Sequence, residues 1–330
     1  MFALVLRNLK TEQRVALLFA YIVRRILATI PVMGVVAIFV FSLLYLSPGD
    51  PAAVIAGDHA SAQDVERIRE QLGLNEPFLT RFGTWLWNVI RGDLGTSIFA
   101  SLPVSHMILQ RVEPTIALTV CSMLVTLAVA IPMGVIAAWN AGTWIDRLVM
   151  AFAVFGFSFP TFVIAYLLIF ALSMWANLLP VQGYVSITRG LWEFLPHVIM
   201  PSLTLGIVFI ALIARMTRAS MLEVLSQDYI RTAQSKGLST VQVLLGHALK
   251  NASVPIVTTI GLGIALLISG VVVTETVFAI PGLGRLTVDA ILTRDYPVIQ
   301  GVVLVFSASY VLVNLVIDIS YTFLDPRIRY

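Results

Sequence analysis

Six long apolar segments govern what this chain can fold into. They lie at roughly 26–46, 115–138, 149–176, 198–214, 256–280 and 299–322. The third is long enough to be tilted or broken, and the fourth is short, so its extension to Met216 or beyond is left open. Each is close to or above the roughly 20 apolar residues that a helix needs to cross the hydrocarbon core of a bilayer. Only 12% of the 330 residues are charged and 58% are hydrophobic, so no soluble core could bury this much apolar surface. Because lipid offers no hydrogen bonds to the backbone, these segments predict an all-α polytopic membrane protein with six transmembrane helices.

Basic residues predict which ends of these helices face the cytosol, where Lys and Arg near the ends of spans accumulate. Arg24, Arg147, Arg218, Lys250 and Arg327 all fall on one side of a six-helix topology. We therefore expect both termini to be cytosolic. The predicted order is a cytosolic tail (1–25), a first helix (26–46), an external loop with short helices (47–113), a five-helix core (114–323) containing a cytosolic loop (215–255), and a cytosolic tail (324–330).

The external loop is predicted to contain two short helices. Residues 61–73 carry apolar side chains at helical spacing behind a capping residue, Ser61. A second amphipathic segment follows, with Phe82 and Trp85 on its apolar side. This loop is either a small helical cap over the outer mouth of the protein or a packed spacer that meets no partner.

Several chemistries lack the residues that they require. The formal charge of +3 is too small to indicate nucleic-acid binding, and Cys121 is the single cysteine. The four histidines are scattered, which predicts no metal site, and nothing indicates a cofactor. No lysine follows a glycine, so the chain has no phosphate-binding loop of the Walker type and no nucleotide site of its own. We therefore expect it not to be an enzyme.

The cytosolic loop contains the most informative segment, residues 228–239. Ile230, Ala233 and Gly237 recur at helical spacing and form one small apolar face, which is suited to close approach by a partner. Gly237 can adopt a positive φ and end this helix. Ser239 can then cap a second helix, whose predicted apolar side comprises Val241, Leu244, Leu245, Ala248 and Leu249. From the residues alone, the segment is either a docking surface or a simple connection between two spans.

Two other functions are open to a six-helix protein. An intramembrane hydrolase needs a nucleophile and a facing histidine, for which Ser158 and His197 are the candidates. An ion-coupled secondary transporter needs buried acids near the midplane of the membrane. The acids within the predicted spans, Glu275 and Asp318, lie near span ends, which disfavours that class.

The loop resembles the conserved cytoplasmic loop of ABC-importer permeases. That loop has the general form Glu-Ala-Ala, three residues, Gly, and a later Pro; here Arg231-Thr232-Ala233 precedes Gly237 at the same spacing, and Pro255 follows. The basic first position and the distant proline are typical of the peptide and nickel branch. Short matches to this branch run along nearly the whole chain. They include Leu46-Ser47-Pro48-Gly49-Asp50-Pro51, Arg91-Gly92-Asp93-Leu94-Gly95-Thr96-Ser97, Thr274-Glu275-Thr276-Val277-Phe278, Pro281-Gly282-Leu283-Gly284-Arg285 and Leu324-Asp325-Pro326-Arg327.

The resemblance is to the first-subunit type of binding-protein-dependent dipeptide, oligopeptide and nickel permeases. It implies the type I importer permease fold and a multi-pass location in the cell inner membrane. It also implies a homologous second permease as a heterodimer partner, two ATP-binding subunits and an external substrate-binding protein. Peptides are the expected substrate, with nickel, glutathione or sugars as alternatives.

The resemblance also implies which residues carry function. The segment that would engage the ATPase contains Asp228, Tyr229, Ile230, Arg231, Thr232, Ala233, Lys236 and Gly237. The candidate pathway or outer-gate residues are Glu275, Gly282 and Gly284. Glu275 lies near the outer end of the fifth span, where a structural role is also open, because an acid at shallow depth can bond to a neighbouring loop.

Overall fold

The fold is helical throughout the described part of the chain, which in this computed structural model comprises residues 11–46, 50–57, 60–71 and 73–324. The helices are α1 (Thr11–Leu46), α2 (Pro51–Ala56), α3 (Ala62–Gln71), α4 (Phe78–Ile90), α5 (Val104–Trp139), α6 (Trp144–Ser158), α7 (Thr161–Leu168), α8 (Leu191–Leu225), α9 (Asp228–Ser235), α10 (Leu249–Val277), α11 (Leu283–Thr293) and α12 (Tyr296–Leu324). Two π-helical segments, Ile169–Trp175 and Gln242–Ala248, continue α7 and precede α10. The predicted C-terminal tail lies outside the described residues, apart from Leu324, and so do residues 1–10 of the predicted N-terminal tail. From Thr11 onward that tail is helical and forms the beginning of α1, which corrects its predicted boundary at residue 25.

Five of the predicted spans are single helices and one is broken. The continuous ones are Val23–Leu46, Val104–Trp139, Leu191–Leu225, Gln242–Leu267 and Tyr296–Ile319, whereas Trp144–Ser158 and Thr161–Trp175 meet at 104°. Pro160 lies at the break, and Phe159 before it is extended, with φ −100° and ψ 135°. Proline disfavours the helical conformation in the residue before it, which explains the position of the break.

The fourth predicted span, 198–214, ends too early, and its extension to Met216 or beyond is the alternative that agrees with the structure. The structure continues it as α8 to Leu225, through Arg215 and Arg218. The polar end of a long helix therefore belongs to what the sequence predicted as loop. Ser61, by contrast, caps α3 as predicted: the Asp64 N–H donates to Ser61 Oγ, and the Ser61 hydroxyl donates to the Asp64 carboxylate.

The described chain falls into two compact units. The large unit is built around Glu113–Gly284 and the small unit around Val23–Val112 with Arg285–Val311. In the large unit, α8 and α10 pack along each other, and α5, α6 and α7 cover them. Its core contains large apolar side chains from α5, α8 and α10, including Leu118, Met123, Leu205, Phe209, Ile213 and Leu267.

Contacts within the large unit show that the broken pair crosses it once. Asp146, at the start of α6, binds Arg218 near the end of α8. After the pair, Tyr184 packs edge-on against Phe194 near the start of α8. Phe194 and Arg218 are about 36 Å apart along a helix that rises 1.5 Å per residue. Because this exceeds the roughly 30 Å of hydrocarbon, the bent pair counts as one span, which brings the candidate spans among the described residues to six.

The small unit is organised around aromatic side chains. Phe41 of α1 contacts Phe78, Phe82 and Trp85 of α4, with ring centroids 5.2–5.5 Å apart. The buried Arg81 guanidinium lies over the Phe41 ring and donates a hydrogen bond to the Tyr45 hydroxyl. Of the predicted apolar side of the second external helix (Phe82, Trp85, Leu86, Val89 and Ile90), Phe82 and Trp85 are confirmed by these contacts, whereas Ile90 is 68% exposed.

Candidate functional site

Helix α9 is a short amphipathic helix in the loop between α8 and α10, which the sequence predicts to be cytosolic. It begins after Gln227, which has extended backbone angles (φ −78°, ψ 147°), and Asp228 in its first turn suits the positive end of the helix dipole. Two hydroxyls bond back to the helix itself: Thr232 donates to the Asp228 carbonyl and Ser235 to that of Arg231. These bonds satisfy the two hydroxyl hydrogens within α9 itself.

The small apolar face of α9 points into the protein. Ile230 is 1% exposed and Ala233 is 7% exposed. Both belong to one cluster with Met221 of α8 and with Val243 and Ala248 of the following π-helical segment. The expectation that this face receives a partner is therefore wrong. Both side chains are already buried in the chain's own core, and they anchor α9 to the end of α8.

The opposite face of α9 is open. Its exposed residues are Asp228, Tyr229, Arg231, Thr232, Gln234, Ser235 and Lys236. Tyr229 is 44% exposed and contributes an aromatic ring to an otherwise polar surface. Arg231 and Asp228 approach each other to 3.7 Å, yet both remain largely solvated. This face combines an aromatic anchor, charges of both signs and hydrogen-bonding groups, a composition suited to a protein partner.

Gly237 ends α9 in the predicted way. Its φ is +78°, its N–H donates to the Gln234 carbonyl, and the Leu238 N–H donates to the Ala233 carbonyl. This pair of bonds is the Schellman motif, which favours glycine at the left-handed position. Ser239 and Gln242 then form a reciprocal cap, as the Ser239 N–H donates to Gln242 Oε1 and the Gln242 N–H to Ser239 Oγ.

The second helix of the loop turns only part of its predicted apolar side to the core: Ala248 is buried, and Leu244 and Leu249 pack against the same cluster. Val243 and Ala248 are buried, whereas Val241 and Leu245 are 64% and 55% exposed. The reason is the π-helical conformation of Gln242–Ala248. A π-helix bonds residue i to residue i+5, so positions five apart share a side, whereas the prediction used the α-helical spacing.

Glu275, Gly282 and Gly284 come together, but in a buried cluster. Glu275 is 0% exposed, and its Oε1 accepts a hydrogen bond from the Thr115 hydroxyl at 2.6 Å. The same hydroxyl accepts the Leu283 N–H at 2.8 Å. A Cβ on Gly282 would lie 2.0 Å from Glu275 Oε1, and one on Gly284 would lie 2.7 Å from Val272 Cα. In this conformation the three residues join α5, α10 and the turn after α10; their role in a pathway or gate stays a prediction.

The ion pair between Asp146 and Arg218 in the large unit was not predicted from the sequence. The Asp146 carboxylate, on a side chain that is 6% exposed, receives Arg218 in a two-pronged ion pair, with Nη2 at 2.7 Å from Oδ2. The Gly142 N–H adds a third bond to the same oxygen at 3.0 Å. The acid in the first turn of α6 was the available signal, but its partner was assigned to a loop.

A second missed contact lies at the opposite end of the large unit. Tyr184 donates its hydroxyl hydrogen to Glu113 Oε1 at 2.6 Å, and Ser186 donates to the same oxygen at 3.2 Å. Burial, and then this carboxylate, raise the pKa of Tyr184 far above its usual value, so the hydroxyl remains a donor. The bonds fasten the loop before α8 to the start of α5.

The candidate metal-ligating and hydrolase side chains that the structure describes lie apart from one another or bond within their own helices. Within the described ranges, no three His, Cys, Asp or Glu side chains are grouped as metal ligands. Ser158 donates to the Val154 carbonyl, and the His197 ring nitrogen lies 3.0 Å from the Glu193 carbonyl, so both hydrolase candidates bond to their own helices.

Two family profiles match the chain. Residues 130–330 match the profile described as "Binding-protein-dependent transport system inner membrane component", and residues 18–119 match the N-terminal profile of such membrane components. The first covers more than half of the chain and includes α9, the Glu275 cluster and the Asp146–Arg218 pair.

Named relatives match over nearly their whole length. A probable peptide ABC transporter permease of Sinorhizobium fredii is 53% identical over 310 residues, which is 94% of this chain and 99% of the relative. A putative peptide transport system permease of Brucella abortus is 47% identical over 311 residues, with the same coverage. The glutathione transport system permease protein GsiC of Escherichia coli K12 is 44% identical over 310 residues, again 94% and 99%.

The fold also matches a solved structure. A chain of the MetNI methionine ABC transporter, in an inward-facing conformation, superposes with a TM-score of 0.56 at 18% identity, over 66% of this chain and 96% of that one. At this identity the match speaks for the fold alone, and it agrees with the predicted type I importer permease architecture.

Proposed function

The chain belongs to the family of binding-protein-dependent transport system inner membrane components, and we propose that it forms half of a peptide-import pathway driven through the exposed face of α9. It is a permease subunit of an ABC importer and a multi-pass membrane protein. Permease subunits are transport components and not enzymes, and they work with ATPase and substrate-binding partners.

In the proposed assembly, this chain pairs with a homologous second permease. Two ATPase subunits bind the cytosolic loops of the pair, and an external binding protein delivers the substrate. A transporter moves its cargo by stabilising one of two conformations over the other. ATP binding by the partners would therefore favour the conformation that opens outward, with this chain supplying the path and the ATPases the energy.

The single observation that supports the coupling role is that α9 is buried on one side and exposed on the other. Ile230 and Ala233 hold it in the core with Met221, while Tyr229 and Arg231 remain exposed on its other side. A helix anchored in this way transmits a displacement to α8 instead of yielding locally. We therefore assign docking to the exposed set that contains Asp228, Tyr229, Arg231, Thr232 and Lys236, with Gly237 fixing the end of the helix.

The proposed orientation places both termini and α9 in the cytosol of a cell with an inner membrane. Arg147 and Arg218 lie at the end of the large unit that continues into α9, whereas Glu113 and Glu275 lie toward the opposite end. This distribution agrees with the accumulation of basic residues on the cytosolic side.

We propose peptides as the substrate class. Two of the relatives described above are named as peptide permeases, and the third is named for glutathione, which is itself a tripeptide. Nickel and sugars remain alternatives within the branch that the sequence resembles.

The test is substrate uptake by cells that lack this chain and are complemented with it. Labelled di- and tripeptides, glutathione and Ni²⁺ are offered separately, and each is also used unlabelled as a competitor. We expect complementation to restore peptide uptake, with competition by peptides and not by Ni²⁺. Restoration of Ni²⁺ uptake alone would overturn the peptide assignment.

A further inference from the structure

The Asp146–Arg218 pair joins two parts of the large unit that the proposed function requires to move together. Asp146 stands in the first turn of α6, next to the α5–α6 turn that contains Gly142. Arg218 stands on α8, two turns before the helix ends at Leu225. Beyond that end, α9 begins at Asp228. The pair therefore connects the end of α8, which leads into α9, with the start of α6, the first half of the preceding broken span.

The acceptor atoms of this pair are well satisfied. Arg218 Nε reaches Asp146 Oδ1, Arg218 Nη2 reaches Oδ2 at 2.7 Å, and the Gly142 N–H reaches Oδ2 at 3.0 Å. A planar guanidinium that binds both oxygens of a carboxylate fixes direction as well as distance. Lysine keeps the charge but cannot reproduce this two-pronged geometry. The contact is therefore suited to holding α6 and α8 at one relative angle.

Helices α5 and α8 pack closely beside the ion pair. A Cβ on Gly134 of α5 would lie 2.5 Å from Thr217 Cβ and 2.7 Å from the Ala214 carbonyl oxygen, so α5 and α8 touch there with no space between them. One turn further along α8, Met221 packs with Ile230 and Ala233 of α9. Close packing and a directional ion pair thus link α9, the end of α8 and the α5–α6 turn.

A purely stabilising role is the weaker explanation for this pair. Asp146 is buried and the Arg218 side chain is 25% exposed. Removing the charges from water costs about as much as their attraction returns, so such a pair contributes little net stability compared with apolar side chains of similar size. What such a pair adds is a defined geometry. We propose that Asp146 and Arg218 are positioning residues, which make a displacement of α9 carry α6 with it, so that ATP hydrolysis by the partners moves substrate. This inference rests on the proposed function.

The test uses the complete importer in proteoliposomes, with its ATPases, second permease and binding protein. The measured quantity is substrate transported per ATP hydrolysed. Arg218→Lys and Asp146→Asn are compared with Arg67→Lys and Asp64→Asn, which make the same chemical changes in an exposed pair of α3 whose side chains are 66% and 47% exposed. The Arg218 and Asp146 variants are expected to lower the ratio roughly tenfold, whereas the α3 variants leave it unchanged.

The double variant Asp146→Leu with Arg218→Met provides the second arm. It removes both charges together, a change that buried pairs tolerate, so assembly and thermal stability are expected to stay close to those of the original chain. The proposal requires a low transport-to-hydrolysis ratio in this variant too. An unchanged ratio in the double variant and in Arg218→Lys would overturn the proposal, even if stability fell. Absence of ATP-driven uptake by the unmodified complex would instead overturn the proposed function.

Discussion

Substitutions at Gly237 separate the backbone geometry of α9 from its packing. Gly237 has a φ of +78°, and nothing lies within 4 Å of the position that a Cβ would occupy. A new side chain therefore meets no neighbour, and its cost is conformational. The left-handed conformation costs an ordinary L-residue about 1–2 kcal/mol, which lowers the equilibrium constant for the capped end of α9 roughly tenfold. Valine is branched at Cβ and costs more, whereas asparagine tolerates this conformation.

The assay is substrate uptake normalised to the amount of the chain in the membrane, with co-purification of the ATPase measured in parallel. We expect activity to fall in the order Gly237, Gly237→Asn, Gly237→Ala, Gly237→Val. Gly246→Ala is the matched control, because Gly246 is exposed, has open space around it and has no positive φ.

Two results would refute this reasoning. Full uptake by Gly237→Val at normal abundance would mean that the end of α9 does not matter for coupling. Equal losses in Gly237→Asn and Gly237→Val would mean that the bulk of a side chain, and not φ, determines the effect. A loss of abundance with unchanged uptake per molecule would place the defect in folding.

Three further predictions follow from the described contacts. In a Cys121→Ser background, single cysteines in place of Ser61 and Thr80 should react with an impermeant thiol reagent in intact cells. A cysteine in place of Ser235 should not react, and its labelling would reverse the proposed orientation. Gly282→Ala should lower the free energy of unfolding of the purified chain by about 1–3 kcal/mol, because its Cβ would lie 2.0 Å from Glu275 Oε1. Gly34→Ala should leave the free energy of unfolding unchanged, because nothing lies within 4 Å of the Cβ position at Gly34. The purified chain alone should not bind ATP in a titration, since it lacks a phosphate-binding loop, and stoichiometric binding would contradict its assignment as a subunit that depends on partner ATPases.

The sequence was sufficient where local rules decide the structure. Long apolar runs predicted the spans, and the glycine at 237 predicted the end of α9 together with its positive φ. Ser61 and Ser239 were predicted caps and both form reciprocal caps. The caps and the end of α9 are formed by hydrogen bonds between residues only a few positions apart, so the neighbouring sequence is enough to predict them.

The sequence was insufficient where the outcome depends on distant partners. The helical spacing of Ile230 and Ala233 shows that α9 has an apolar stripe, but not whether the stripe faces a partner or the chain's own core. It faces the core because Met221 and Val243 lie against it, and the spacing does not contain their position. Asp146 and Arg218 are 72 positions apart, and Thr115 and Glu275 are 160 apart. Arg218 was placed in a loop because charge ended the apolar run, although the helix itself continues to Leu225.

The exposed face of α9 provides the most direct test of the central claim that partner ATPases act on this chain there. A photoreactive amino acid is placed singly at Tyr229, at Arg231, at the buried Ile230, and at Trp192, which is 85% exposed at the other end of α8. After illumination of the assembled importer, the adducts are identified by mass spectrometry. The account predicts adducts with the ATPase from positions 229 and 231 and none from 230 or 192. ATPase adducts from position 192, or their absence at both 229 and 231 in a complex that transports substrate, would contradict it.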